Sequence, residues 1–388
     1  MKKIYLDYAA TTPVDPRVFK AMRPYFSQKF GNTMSLHWQG RQAAKAVEKA
    51  REKIAKFIGA DPEEIIFTSS ATESNNLAIK GTAFAHKSEH KNHLIISPVE
   101  HDCVIASARW LEKQGFEITW LKVDKSGLID LEHLKNSIKK NTLLVSVIHG
   151  NNEIGTVQDI AKIGEICQKN KVYFHTDASQ SFGKIPIDVV KMKIDLLTAS
   201  SHKIYGPKGA AILYINHQAK IEPIIHGGGH EKNLRSSTLN VPAIVGMGKA
   251  VEILQSEGKK ENLRMIKLRD FLINKILTEI PGTHLNGHRK QRLCNNINIT
   301  FSGVEGESLT MELDFQGIAV SSGSACSSRN LEPSHVLTAI GLMAEDAHGS
   351  LRISLGRWTT KEELIKTLKI LKIVVKKLRT ISPVAYEK

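Results

Sequence analysis

The sequence predicts an α/β protein, with a mostly parallel sheet in a large domain and a smaller α+β domain attached. Three observations predict this. From about Glu64 to Leu213 short β-rich runs alternate with helical stretches, the pattern of strands joined by helical crossovers. Several of those runs are apolar throughout, as strands covered on both faces are. Past "PGTH" (281–284) the alternation gives way to a looser mixture of strand and helix.

The expected strands are "EIIFTS", "HLIISP", "EITWLKV", "LLVSVIH", "VYFHTD" and "DLLTAS". Between most of them lie helical patterns at Glu73 to His86, Val104 to Gln114, Leu131 to Lys139 and Asp159 to Asn170. A long helix is expected from Pro242 to Ile280. It is followed by "NNINITFSG", a helix, a loop of small and hydroxyl residues around Cys326, another helix, "SLRISLG" and a closing helix from Thr360 to Thr380. No internal repeat or low-complexity segment interrupts this order.

The chain has 388 residues, 41% hydrophobic and 24% charged, which is ordinary for a globular protein of more than one core. No apolar run approaches the ~18 residues of a membrane span, and "MKKIYLDYAATTP" lacks the apolar stretch of a signal peptide. A cytoplasmic protein without membrane contact is expected. The four cysteines are scattered with no CxxC pair, so neither a zinc knuckle nor a disulfide framework is suggested. Lysine and arginine number 54 against 39 acids, a net +15. That excess is spread over amphipathic helical patterns with no aromatic-interleaved basic tract, so a generally basic solvated surface is expected and direct nucleic-acid binding is not, an acidic protein partner being compatible with it.

In such sheets ligands bind beyond the carboxyl ends of the strands, so the residues just after each strand carry the information. After "EIIFTS", Ser70, Ala71 and Thr72 open a helix whose first N–H groups have no intrahelical partner, which makes a phosphate cradle. Asp177 ends an apolar strand and needs a cation or several donors around it. Gln180 follows three residues on. "DLLTASSHKIYGPKG" sets Ser200, His202 and Lys203 at the end of the next strand, where a desolvated lysine can act as a Schiff-base nucleophile. Lys208, in its Gly-Pro setting, is the rival lysine. A phosphate cradle, a strand-end acid and a strand-end lysine together are what pyridoxal phosphate needs for its phosphate, ring nitrogen and aldehyde. His226 and His230 in "HGGGHE" have metal-pair spacing, but three intervening glycines argue against the helix such a pair requires, and no metal is expected.

Taken with "YLDYAATTPVDPRV", "SSATESNNLAIKG", "NNEIG", "HTDASQSFGKIPID", "RSSTLNVPAIVGMG", "VEGESL", "VSSGSACSS" and "AHGSLRISLGR", in that order, the chain resembles the cysteine desulfurases of the NifS/IscS group. These are fold-type I, class-V aminotransferase-like enzymes dependent on pyridoxal phosphate. The resemblance implies a homodimer, with a large cofactor domain over 15–260 and a small domain from 1–14 and 261–388. It implies L-cysteine as substrate and a sulfur-acceptor or iron–sulfur scaffold protein as partner. Lys203 would hold the cofactor, Asp177 would face its pyridine nitrogen, and His101 would stack on its ring. Gln180 and Asn152 would lie near its phenolic oxygen. Ala71, Thr72, Ser200 and His202 would bind phosphate, joined by Thr238 of the other subunit. Arg352 would clamp the substrate carboxylate, and Cys326 would take the sulfur as a persulfide. Thr33, Ser237 and Ala211 depart from the group's usual pattern, and the chain stops soon after "LRTISPVAYEK", without the tail some members use toward a scaffold protein. Another pyridoxal-phosphate lyase or aminotransferase, or a catalytically silent interaction protein, are the competing readings.

Overall fold

The computed structural model describes residues 3–323 and 333–381. Seven strands form the main sheet: β1 (Ile65–Thr68), β2 (His93–Ile96), β3 (Glu117–Trp120), β4 (Thr142–Ser146), β5 (Tyr173–Asp177), β6 (Leu196–Ser200) and β7 (Ala211–Ile215). Their spatial order is β1-β7-β6-β5-β4-β2-β3. Every neighbouring pair is parallel except those made by β7, which runs antiparallel to both β1 and β6.

Both faces of this sheet are covered, which is why its strands are apolar in succession. Ile65 and Phe67 of β1 enter one core with Val145, Phe174, Leu197 and Ile212, while Ile66 enters another with Leu94, Leu144, Leu196 and Leu213. The helix Trp38–Ile58 buries Ala43, Val47, Ala50, Ile54 and Ile58, one stripe at helical spacing, against the first face. Each fully buried Val or Ile in that stripe contributes about 1.5–3 kcal/mol. It packs on the long helix Val241–Glu279, and a Cβ on Gly248 would come within 2.8 Å of the Ala50 Cβ, so glycine sets how closely the two approach.

The long helix spans two cores. Its first half (Val241 to Leu254) belongs with the main sheet, and Leu272, Ile273 and Ile276 belong with a second core. That second core gathers Ile4 and Leu6 from the chain start with Leu364, Leu371 and Val375 of the helix Lys361–Ile381. It rests on a four-stranded antiparallel sheet: Thr283–Leu285, Asn296–Phe301, Ser350–Ser354 and Ser321–Ser322, in that spatial order. Among the described residues no helix is long and apolar enough to cross a membrane.

Candidate active site

The carboxyl ends of β1, β4, β5 and β6 and the start of the chain surround one cavity of 330 Å³. It is lined by Ala9, Ala10, Ser70, Ala71, Thr72, His101, Cys103, Ile148, Asn152, Asp177, Ser179, Gln180, His202, Lys203 and Arg352. Ten residues singled out from the sequence therefore meet here, from six separate stretches of chain. Ser200 ends β6, buried, without lining the cavity, and Thr238 is exposed outside it. Lys208 is exposed and outside it too, so of the two lysines only Lys203 reaches the cavity. Cys326 lies outside the described residues.

Asp177 is 3% exposed, and two hydrogen-bond donors meet its carboxylate. The Asn75 amide donates to Oδ2 at 2.7 Å and the Ser179 backbone N–H to Oδ1 at 2.8 Å. Asn75 lies on the helix that Ser70 caps by accepting from the Glu73 N–H. The helix continues from Ala71–Asn76 through a π-helical stretch, Leu77–Gly81, into Thr82–Ala85. Its first turn, carrying Ala71 and Thr72, opens on the cavity, which is where unpaired N–H groups receive an anion.

The Lys203 amine donates to the carbonyls of Ala9 at 2.6 Å and Ala10 at 2.8 Å. Gln180 donates to the same Ala9 carbonyl at 2.9 Å. That wall of the cavity is itself anchored. Tyr8 packs on Gly356, where any Cβ would sit 2.2 Å from the ring, and Asp15 pairs with Arg17 and, at 2.5 Å, with Arg357. The bonds from Arg17 and Arg357 hold the Asp15 carboxyl at about 2. His202 accepts or shares a hydrogen bond with the Thr11 hydroxyl at 3.1 Å; burial, then the charges of Lys203, Lys208 and Lys184, lower its imidazole to about 4. At neutral pH it is an uncharged ring.

Arg352 comes from the middle of the strand Ser350–Ser354 and is 3% exposed. It pairs with Asp7 at 3.0 Å and donates to the Asn152 carbonyl at 3.2 Å. Its Nε and the Asn152 Oδ1 are buried with no hydrogen-bond partner among the described residues. A donor of fixed charge and an amide acceptor left unsatisfied at one cavity are groups awaiting a ligand. The donor set fits pyridoxal phosphate: a buried acid for its ring nitrogen, a lysine, a helix opening, and unsatisfied polar atoms beside them.

Sequence reasoning missed Asn75, Cys103, Ser179 and Asp7. Asn75 and Ser74 form the buried face of "SATESNN", so helical spacing from the cradle was the available signal. Ser237, one of the departures from the group's pattern, has φ of 154°, outside the range L-residues favour. Its neighbour Arg235 pairs with Glu73 at 2.6 Å, tying this segment to the helix that opens on the cavity. His226 and His230 stay on the "HGGGHE" turn, held by the buried pair of Glu231 with Arg51 at 2.8 Å.

The class-V aminotransferase family model matches residues 4–366. A cysteine desulfurase IscS from Dictyoglomus turgidum is 52% identical over 386 residues, covering 100% of this chain and 98% of its own. One from Methanosarcina thermophila is 50% identical, covering 98% of this chain and 94% of its own. Among solved structures, a NifS-like protein superposes with a TM-score of 0.91 at 38% identity, over 97% of this chain and 100% of that one. A structure described as SspA in complex with cysteine does so at 0.82 with 41% identity, over 92% and 100%. The expected fold, with its α/β main sheet, is that of these proteins. The chain therefore belongs to the class-V aminotransferase family, among the pyridoxal-phosphate-dependent cysteine desulfurases of the NifS/IscS group.

Proposed function

We propose that this protein removes sulfur from L-cysteine, releasing L-alanine and keeping the sulfur as a persulfide on Cys326. The balance closes without an added oxidant or reductant. The Cβ–S bond of cysteine breaks, an S–S bond forms to the Cys326 sulfur, and the thiol proton of Cys326 is made good at Cβ. The observation that carries the reading is the convergence of Asp177, Lys203 and Arg352 on one cavity in a chain of this family. The cysteine bound by the SspA relative supports the choice of substrate.

Pyridoxal phosphate, when bound, supplies an electron sink for the pair released at the substrate Cα. The chain's own residues do the rest. Asp177 holds the ring-nitrogen proton, and Gln180 and Asn152 serve the phenolic oxygen. Ala71, Thr72, Ser200 and the neutral His202 hold phosphate, with Thr238 contributed by a second copy. His101 covers the ring face. Lys203 would hold the cofactor, and its amine would move the proton at the substrate Cα. Arg352 takes the substrate carboxylate in its planar fork. Cys326 accepts the sulfur and carries it out. The large domain is 15–260, and both chain ends make the small one.

The working unit is a homodimer in the cytoplasm, passing sulfur to an acceptor or iron–sulfur scaffold protein. Phe26, Phe30, Met34, Leu36 and Trp38 are each at least 59% exposed, an apolar surface that a second copy would cover. Incubation with L-cysteine and a thiol reductant should yield equal alanine and sulfide, and borohydride should fix the cofactor on Lys203. Fixation on Lys208, or alanine without sulfide, would refute the assignment.

A further inference from the structure

The cavity floor holds a thiol for which the desulfurase reading has no use. Cys103 lies between two residues that reading does use. The Asn75 Nδ2 is 2.7 Å from Asp177 Oδ2 and 3.1 Å from the Cys103 sulfur. The Cys103 sulfur is 3.1 Å from His101 Nδ1, and the Cys103 backbone N–H also donates to that Nδ1 at 3.2 Å. The four side chains thus form one continuous line: Asp177, Asn75, Cys103, His101.

The direction of each hydrogen bond follows from the first. A carboxylate can only accept, so Asn75 must turn its amino group toward Asp177; its Oδ1 is buried with no partner among the described residues, as that orientation requires. The second amide N–H then falls on the Cys103 sulfur. Burial, then the charges of Asp177 and Glu100, push the Cys103 thiol up to about 12, so the sulfur keeps its hydrogen at neutral pH. With its acceptor side taken by Asn75, the S–H has His101 Nδ1 to donate to. That nitrogen receives two donors and carries no hydrogen of its own. With Nδ1 bare, the ring carries its hydrogen on Nε2, which has no hydrogen-bond partner among the described residues.

The geometry points to Cys103 as a positioning residue that relays the fixed charge of Asp177 to His101 and sets its tautomer, so that His101 offers the cavity an Nε2–H, not a lone pair. This rests on the placement of His101 at the cofactor ring. The role it gives Cys103 is structural to the chemistry, distinct from carrying sulfur.

The test uses holoenzyme labelled with ¹⁵N in its histidine rings, with long-range ¹H–¹⁵N correlation spectra at pH 8 and His101→Gln for assignment. His101 should show a protonated Nε2 and a bare Nδ1. In Cys103→Ala the backbone donor still favours that tautomer, but with the S–H lost the bare Nδ1 signal should move toward that of a free imidazole. In the same variant kcat should fall roughly five- to tenfold with KM for L-cysteine unchanged, and Cys103→Ser, which keeps a donor and an acceptor, should restore kcat to within about twofold. An Nδ1–H ring in the wild type, unchanged turnover in Cys103→Ala, or a serine variant as poor as the alanine one would overturn the relay. Wild-type turnover by His101→Gln would overturn the placement of His101 at the ring, and it is read independently of the tautomer.

Discussion

Arg352 allows binding and chemistry to be separated. Its guanidinium is already committed in part: one terminal nitrogen to Asp7 at 3.0 Å, the other to the Asn152 carbonyl at 3.2 Å, with Nε buried and unsatisfied. Charge-assisted hydrogen bonds contribute about 1.5–3 kcal/mol each. In the proposed clamp the substrate carboxylate would gain the Nε bond and share one of the others, so about 3 kcal/mol of binding would be at stake, near the low end for two such bonds. At 1.4 kcal/mol per factor of ten, Arg352→Ala should raise KM for L-cysteine roughly 100-fold. Because the clamp is made in ground and transition states alike, kcat should stay within about threefold. Removal also leaves Asp7 without its cation, and since that side chain is 18% exposed the loss of stability should be about 2–3 kcal/mol, below that of a fully buried pair. Arg352→Lys distinguishes the two effects. The ammonium keeps a charge beside Asp7, so melting should recover, while the missing Nε keeps KM high. The assay is alanine formation against cysteine concentration, with thermal unfolding in parallel. A KM within about threefold of wild type in Arg352→Ala would refute the clamp.

Three other substitutions test separate parts of the account. Asp177→Asn keeps the size of the side chain and one oxygen to accept from the Ser179 N–H, but removes the charge and the acceptor for the Asn75 amide, and kcat should drop roughly 10²–10³-fold, as for other preorganised electrostatic groups, with KM little changed. Glu100 is fully buried, and burial, then the charge of Asp177, hold its carboxyl well above the usual carboxylate range. The folded protein therefore keeps a proton that the unfolded chain releases above a pKa of about 4.3, and wild-type stability falls as pH rises from there. Glu100→Gln is free of that penalty, so its melting temperature should gain on wild type progressively from pH 4 to pH 8; a constant or shrinking gap would contradict this. Ser237 holds φ of 154°, so Ser237→Gly should stabilise the protein by about 1 kcal/mol, measured by denaturant unfolding.

The sequence shows most plainly what depends on local pattern. The strand that ends at Asp177 and the strand that leads to Lys203 are buried because two separate cores cover the two faces of the sheet, and their apolar residues announce it. The Ser70 cap and the long helix at Val241–Glu279 follow from short-range chemistry in the same way. The reversal of β7 does not. "AILYI" looks like any other buried strand, and its direction is set by where the chain returns between β1 and β6. The helix Trp38–Ile58 carries an apolar stripe at helical spacing, but it lies before the strand–helix alternation and is not among the expected elements. Partners far apart in sequence were hidden for the same reason: Asn75 and Asp177 are 102 residues apart, and Arg352 and Asp7 are 345. Nothing in either local stretch points to the other.

In the proposed reaction Cys326 is the thiol that receives sulfur. The other three cysteines argue for it by their surroundings. Burial pushes Cys103 up to about 12, Cys294 up to about 11 and Cys167 higher still, so none is a ready thiolate at neutral pH. The most direct measurement is peptide mass spectrometry of the holoenzyme after brief exposure to L-cysteine, with Cys326→Ser alongside. One added sulfur should appear on the Cys326 peptide, and Cys326→Ser should bind pyridoxal phosphate normally yet carry no adduct and make almost no alanine. An adduct on Cys103, Cys167 or Cys294, or full turnover by Cys326→Ser, would contradict the account.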